Sequence, residues 1–160
     1  MDVEIKKIEN CDEKSLICND ILRSLPDWFA NEASIVDYVN EVRDMPFFVA
    51  FSRGKAVGFI AVKDHNEYTA EVYVMGILPE YHRLGIGRHL IESCEIYCFT
   101  SGKVFLTVKT LDSSAHYEPY ERTRNFYLNM GFLPLEIFPL HWDKDNPCLL
   151  LAKHIAKRTD

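Results

Sequence analysis

The stretch from Val74 to Leu90 constrains the fold of this chain more than any other part of its sequence. An apolar run ends at Pro79, a short basic segment with two glycines follows, and an apolar helical pattern then begins. This order predicts a strand, a tight loop and a helix whose first backbone N–H groups crowd together. Because such a helix start favours an anion and Arg83 and Arg88 add positive charge, the segment is interpreted as a pyrophosphate cradle.

Two common phosphate-binding motifs do not fit this segment. The P-loop of ATP-binding proteins needs Lys-Ser or Lys-Thr directly after its last glycine, whereas Arg88 and His89 follow Gly87 here. The dinucleotide-binding fingerprint needs a third glycine at the position that Leu90 occupies. A glycine-rich helix start without a ligand stays open as the alternative.

The remaining sequence alternates between strand and helix patterns over the whole chain, without a linker or an internal repeat. Antiparallel strands come first and a β-α-β crossover follows, which predicts an α/β fold with a mixed, largely antiparallel sheet of about seven strands flanked by helices. We expect a single domain over residues 1–160. The expected strands lie near residues 3–8, 47–51, 57–62, 69–77, 104–108, 132–138 and 148–153, and the expected helices near 13–25, 33–43, 84–100 and 121–130.

Charge and cysteine usage exclude several classes of function. Eighteen Lys and Arg against 24 Asp and Glu give a net charge of −6, which argues against nucleic acid and anionic membranes as partners. No apolar run approaches the ~18 residues of a membrane span, and the first residues lack the pattern of a signal peptide. The five cysteines form no CxxC pair and no zinc set, so we expect free thiols, no metal and a cytoplasmic protein.

Two motifs resemble those of the GCN5-related N-acetyltransferases. The acetyl-CoA motif of that family, Gln/Arg-x-x-Gly-x-Gly/Ala after a strand, is matched by residues 82–87, with His82 at the first position. A second feature of the family is a Tyr that is followed, after three intervening residues, by Gly-Phe late in the chain. Tyr127 matches this feature, with Gly131 and Phe132 after it. The usual Asn-x-x-Ala ahead of that Tyr is replaced by residues 120–123. The order of elements also fits the fold of this family.

This resemblance implies direct transfer of an acetyl group from acetyl-CoA to a primary amine in a ternary complex, without a covalent enzyme intermediate. It also implies that backbone groups of the strand before the cradle bind the pantetheine arm, one N–H polarising the thioester carbonyl. The expected cofactor-binding residues are Met75, Gly76, Ile77, His82, Arg83, Leu84, Gly85, Ile86, Gly87 and Arg88.

The resemblance also implies a catalytic acid and a catalytic base. Glu71 shares one face of its strand with Met75 and Ile77, and the run Ala-Glu-Val around it is similar to the general-base segment of histone-type members. Tyr127 matches the family's general acid, which protonates the CoA thiolate. The alternatives are a solvated or lysine-paired Glu71 and a core aromatic at Tyr127. Arg124 is interpreted as a surface charge, with contact to a CoA phosphate as the alternative.

The acceptor is the least defined part of the prediction. In this family the first two helices and the final hairpin line the acceptor cleft, and aromatic and acidic residues there suit a cationic amine. A small amine, an antibiotic, a peptide N-terminus and a protein lysine stay open, as does a homodimer, which is frequent in the family. The alternatives in function are a non-catalytic acyl-CoA-binding or regulatory module and a plain interaction domain. The residues concerned are Asp27, Trp28, Phe29, Glu32, His141, Trp142, Asp143 and Asp145.

Overall fold

A computed structural model describes residues 2–156 of the chain. Four α-helices and seven β-strands are present in this part, joined by short loops and three single turns of 3₁₀-helix. In chain order the elements are β1 (Val3–Lys7), α1 (Cys11–Arg23), α2 (Glu32–Glu41), β2 (Phe47–Ser52), β3 (Lys55–Asp64), β4 (Thr69–Ile77), α3 (Ile86–Thr100), β5 (Phe105–Leu111), α4 (Glu118–Asn129), β6 (Leu133–Asp143) and β7 (Asn146–His154).

The strands follow the order β1-β2-β3-β4-β5-β7-β6 in a seven-stranded sheet. β2 pairs antiparallel with β1 and with β3, and β7 pairs antiparallel with β5 and with β6. The predicted α/β fold, with a mixed sheet of seven strands and flanking helices, is therefore confirmed.

The chain divides into two compact units. The first contains the residues up to Asp64 together with Val72–Tyr97, and the second contains His65–Glu71 together with the chain from Cys98 onward. In the first unit the apolar face of α1 buries Ile21 and Leu22, and Phe47 stacks on Phe59 with ring centroids 5.1 Å apart. This core supports the strand that leads into the predicted cradle.

The second unit is built on the β5–β7–β6 arrangement and α4. Leu106 and Leu151 are fully buried, and Phe132 follows α4 into the same core. β6 lies at the edge of the sheet and pairs only with β7 among the described strands. Its apolar residues Leu133 and Leu135 are more than half exposed.

Local hydrogen bonds and backbone angles place three helix starts away from their predicted positions. α1 begins at Cys11 rather than residue 13, because the Asn10 side chain accepts the N–H of Glu13 and caps the helix. α3 begins at Ile86 rather than residue 84, because the loop before it has left-handed backbone angles. α4 begins at Glu118, with a proline in its first turn, rather than near residue 121.

All five cysteines are free thiols, as the sequence predicts. Cys11 is exposed, whereas Cys18, Cys94, Cys98 and Cys148 are buried. Burial raises the pKa of the Cys18 thiol to about 12 and also raises the pKa of Cys148. Between residues 2 and 156, no helix combines the length and apolar character that crossing a membrane requires.

Candidate active site

The predicted cradle in the first unit is a strand, a loop and a helix start. β4 ends at Ile77, a 3₁₀ turn covers Pro79–Tyr81, and α3 starts at Ile86. Arg83 and Gly85 between them adopt left-handed backbone angles, with φ of 62° and 83°. The first N–H groups of a helix have no carbonyl partner within the helix, so this start offers donors to an anion.

The ten predicted cofactor-binding residues lie in this one segment, with different exposures. Arg83, Leu84, Gly85 and Arg88 are exposed, and Met75, Ile77 and His82 are half-buried. Gly76, Ile86 and Gly87 are buried. The exposed loop residues are therefore accessible to a ligand, whereas the side chain of Ile86 belongs to the core.

His82 ties the loop to the end of β4. Its Nε2 lies 2.7 Å from the carbonyl oxygen of Ile77, so the ring donates a hydrogen bond to that oxygen. The Trp28 ring packs edge-on against the imidazole, with centroids 5.7 Å apart. The imidazole therefore positions the loop. The prediction that His82 also contacts the cofactor stays a prediction.

Gly76 is held to glycine by the packing of helix α1 on β4. A Cβ on this residue would lie 3.1 Å from the side chains of Ile21 and Leu25 and 3.3 Å from the ring of Phe59. The backbone of β4 therefore approaches the helix closely on this face. Met75 and Ile77 belong to the other face of the strand.

Aromatic rings continue from that other face of β4 toward α2. The rings of Tyr38 and Tyr73 are 5.4 Å apart, and Phe29 lies 5.9 Å from Tyr38. The ammonium of Lys63 lies 5.6 Å from the Tyr73 ring centroid, a cation–π distance. The first unit thus presents three half-buried aromatic side chains on the face that Met75 shares.

Glu71 lies in the second unit at the centre of a charged cluster. It is 4% exposed, so the alternative of a solvated strand glutamate is wrong. Its Oε1 lies 2.6 Å from Nε2 of His65, and both of its carboxylate oxygens lie 3.0 Å from Nζ of Lys109. The alternative of a lysine-paired glutamate describes its contacts, and the predicted role as a base stays a prediction.

Sequence reasoning missed both partners of Glu71. Lys109 lies 38 residues away on β5, and His65 lies in the turn before β4. No local spacing connects either of them to Glu71, because the contacts form only when the second unit folds.

Tyr127 is buried in α4, with 6% of its surface exposed. Its ring packs against Phe126 at 5.3 Å and Phe132 at 5.5 Å, so the tyrosine is a core aromatic as well as the motif residue. This packing holds the Tyr127 ring in the core of the second unit. The role as general acid stays a prediction.

Arg124 is buried, whereas the sequence was interpreted as placing it on the surface. It is 9% exposed and its Nη1 donates a 2.6 Å hydrogen bond to the carbonyl oxygen of Leu111, so the surface interpretation was wrong. A helical spacing of three from the inward Tyr127 would have predicted this burial. Arg124 lines a groove of about 660 Å³ together with Ser113, Ser114, His116, Tyr117, Glu118 and Glu121.

Several acidic residues expected on the acceptor side are engaged in local structure. Glu32 forms two 2.8 Å hydrogen bonds with Arg23, which lower the pKa of the Glu32 carboxyl. Asp143 accepts hydrogen bonds from Asp145 and Asn146 in the β6–β7 turn. Within the described residues, no group of three His, Cys, Asp or Glu side chains is placed to hold a metal ion.

The model of the acetyltransferase (GNAT) family matches residues 15–132, and the chain therefore belongs to that family. The predicted family and the predicted class of enzyme are confirmed at this level. An uncharacterized N-acetyltransferase from Chlorobaculum tepidum is 29% identical over 103 residues, which are 64% of this chain. The match spans 58% of the length of that relative.

Solved structures show the same fold at low identity. A GNAT-family protein from Desulfovibrio desulfuricans, described as an acetyltransferase, superposes with a TM-score of 0.83 at 17% identity, over 97% of this chain and 100% of that one. An aminoglycoside 6'-N-acetyltransferase complexed with coenzyme A superposes with a TM-score of 0.78 at 19% identity, over 98% and 99% of the two chains. At these identities the likeness establishes the fold.

Proposed function

We propose that the protein is an N-acetyltransferase that moves an acetyl group from acetyl-CoA to a primary amine by direct transfer in a ternary complex. The observation that carries this proposal is the loop with left-handed Arg83 and Gly85 at the start of α3, in a chain of the acetyltransferase (GNAT) family. The description of the Chlorobaculum relative as an N-acetyltransferase and the coenzyme A complex of the aminoglycoside enzyme support an acyl-CoA donor.

The first unit holds the donor in this proposal. N–H groups at the start of α3 bind the pyrophosphate, and the exposed guanidinium groups of Arg83 and Arg88 add charge. Backbone groups of Met75, Gly76 and Ile77 bind the pantetheine arm, and one N–H polarises the thioester carbonyl.

Glu71 and Tyr127 belong to the acid–base chemistry of this proposal. The Glu71 carboxylate is part of the base that removes a proton from the acceptor ammonium, so that the amine lone pair can attack the thioester carbonyl carbon. Tyr127 gives its phenolic proton to the departing thiolate. The direct attack breaks the C–S bond and needs no covalent intermediate on the protein.

The acceptor in this proposal is a small-molecule or peptide amine that arrives as a cation. Support comes from the aromatic series Phe29, Tyr38 and Tyr73, since electron-rich rings attract ammonium groups. The Lys63 ammonium already lies at a cation–π distance from Tyr73, so this ring accepts a cation in its surroundings.

The experiment that tests the donor is a thermal-shift series with acetyl-CoA, CoA and ATP. A ligand at 100 times its Kd should stabilise the fold by about 2.7 kcal/mol. Gly87→Val should abolish the shift because its Cβ blocks the approach of phosphates, with Gly87→Ala as a milder variant. Ser93→Ala, further along α3, is the matched control and should keep the shift. A folded Gly87→Val protein with the full shift contradicts the assignment.

A non-catalytic acyl-CoA-binding or regulatory module is the second candidate. It predicts the same thermal shift but no thiol release with any amine. A screen of small amines, aminoglycosides, peptides and lysine-containing proteins, followed by thiol release, separates the two. Transfer to one acceptor also identifies the acceptor class.

Two further expectations belong to this proposal. Homodimer formation is supported by the exposed apolar residues Leu133, Leu135 and Ile137 on edge strand β6, which a second copy would cover. Sedimentation equilibrium of the wild type and of Leu135→Lys tests it, since the variant should be monomeric if β6 pairs the copies. A cytoplasmic location is supported by the five free thiols, and fractionation of expressing cells tests it.

A further inference from the structure

The Glu71 carboxylate is enclosed by its own partners. Its side chain is 6% exposed, against 35% for His65 and 27% for Lys109. Lys109 contacts both carboxylate oxygens and His65 contacts one of them. The His65 imidazole is therefore the most solvent-accessible of the three side chains, and the Glu71 carboxylate is the least accessible.

The contact with Glu71 defines the state of the His65 ring. A carboxylate accepts hydrogen bonds, so the 2.6 Å contact places an N–H on Nε2; in the neutral ring the lone pair is then on Nδ1. The backbone of the turn is also fixed: the His65 N–H donates to the carbonyl oxygen of Thr69, and the Asn66 side chain accepts the N–H groups of Tyr68 and Thr69. The ring is thus positioned at both its backbone and its Nε2 end.

We propose that His65 is the catalytic group that takes the proton of the acceptor amine, and that Glu71 acts through it as a positioning residue. This inference rests on the proposed N-acetyltransferase function and defines which atom receives the proton. Lys109 fixes the carboxylate in the orientation that Nε2 of His65 requires. The arrangement follows the general logic of a carboxylate that orients a histidine base.

The proton transfers balance over one turnover. An N–H bond of the ammonium breaks and an N–H bond forms at Nδ1 of His65, while Glu71 offsets the imidazolium charge. The amine lone pair then forms the C–N bond, the C–S bond breaks, and Tyr127 gives its proton to the sulfur. The nitrogen that has attacked loses its second proton to water, which leaves the neutral amide. His65 releases its proton to water and Tyr127 regains one, so that one proton is released in total.

The pH dependence of kcat/KM depends on the charged and titratable groups in contact with the His65–Glu71–Lys109 cluster and its turn. Lys109 and the buried Cys148 face Glu71 from β5 and β7, and burial raises the pKa of that thiol, which keeps it neutral. Asp64 accepts a 2.6 Å hydrogen bond from Tyr97, and Lys103 donates to the carbonyl of Asn66. The charged and titratable groups of the turn and of the contacts given above are Asp64, His65, Glu67, Tyr68, Glu71, Tyr97, Lys103, Lys109 and Cys148.

The test is the pH profile of kcat/KM for His65→Gln, Glu71→Gln and the double variant, with the acceptor found in the amine screen. Each single variant should lose roughly 10²-fold at neutral pH and recover partly as pH rises and the amine becomes neutral, with unchanged acetyl-CoA affinity. The double variant should be about as slow as His65→Gln, because the two residues act as a unit. His154→Gln, a histidine on β7 beside Phe105, is the matched control and should keep wild-type rates.

NMR of the imidazole nitrogens in the unliganded protein gives a readout that does not depend on turnover. We expect the Nε2–H tautomer for neutral His65 in the wild type. An Nδ1–H tautomer overturns the inference, as does a wild-type pH profile for His65→Gln. If the wild type binds acetyl-CoA but releases no thiol with any amine, the proposed function fails and this inference fails with it. If the losses in kcat/KM of the two single variants multiply in the double variant, His65 and Glu71 have separate roles, and the inference is likewise overturned.

Discussion

Replacing His82 by phenylalanine tests whether this side chain holds the loop or contacts the donor. Phenylalanine keeps an aromatic ring against Trp28 but removes the N–H that donates 2.7 Å to the carbonyl of Ile77. A hydrogen bond of this kind contributes about 0.5–1.5 kcal/mol to stability. Because Ile77 is half-buried, water replaces part of the bond, and we expect a loss of about 1 kcal/mol. In a protein of this size that corresponds to a Tm lower by roughly 2–4 °C.

The same loss sets the expected effect on the donor. If acetyl-CoA binds only when the hydrogen bond from His82 to Ile77 holds the loop, the loss of about 1 kcal/mol should weaken the affinity for acetyl-CoA roughly fivefold. Thermal unfolding without ligand and calorimetric titration with acetyl-CoA measure the two quantities. His82→Gln, whose amide can still donate to Ile77, should stay closer to the wild type. His89→Phe, on the exposed side of α3, is the matched control and should change neither quantity.

One pattern of results would refute the role of His82 as a loop tie. An unchanged Tm for His82→Phe, together with an acetyl-CoA affinity more than tenfold weaker, would assign His82 to direct contact with the donor.

Three further outcomes follow from the packing and the charges of the site. Gly76→Ala should lower the free energy of unfolding in denaturant by about 1–3 kcal/mol, because its Cβ would lie 3.1 Å from the side chains of Ile21 and Leu25. An unchanged unfolding midpoint would show that these side chains can move apart without loss of stability. Tyr127→Phe should keep the stability and the acetyl-CoA affinity while kcat falls roughly 10²-fold, whereas full turnover would leave Tyr127 as a core aromatic. Burial opposes ionisation of Asp112, but hydrogen bonds from Ser114 bring the pKa of its carboxyl below the usual value. The carboxylate therefore stabilises the fold above the unfolded pKa, and this contribution is lost as the pH falls through the folded pKa. Asp112→Ala should therefore cost about 1 kcal/mol at pH 7, and this gap should shrink as the pH falls below the unfolded pKa; a gap independent of pH would contradict this assignment.

The sequence was sufficient for those parts of the fold that depend on local patterns. The β4–loop–α3 segment was predictable because strand period, proline, glycines and helix period follow one another within a few residues. The predicted helix start at residue 84 was two residues early, because periodicity does not register that Arg83 adopts a left-handed angle. A non-glycine residue in that conformation is uncommon and has no sequence pattern of its own.

The charged cluster marks the limit of sequence reasoning about the site. Glu71 was found from its strand face and the segment around it, but its contacts come from a turn residue and from a strand much further along the chain. The same applies to Arg124, whose partner is the backbone carbonyl of Leu111. A carbonyl group belongs to every residue, so no residue type in the sequence points to such a contact.

The distribution of the thiols decides how turnover can be observed. A chromogenic thiol reagent would detect released coenzyme A, but it would also react with accessible cysteines of the protein. Cys11 is the exposed one, while the other four are buried, and the raised pKa of Cys18 and Cys148 keeps those thiols protonated. The folded protein should therefore give a background of about one equivalent per chain, and Cys11→Ser should remove most of it. Product formation can then be followed continuously in the presence of micromolar protein.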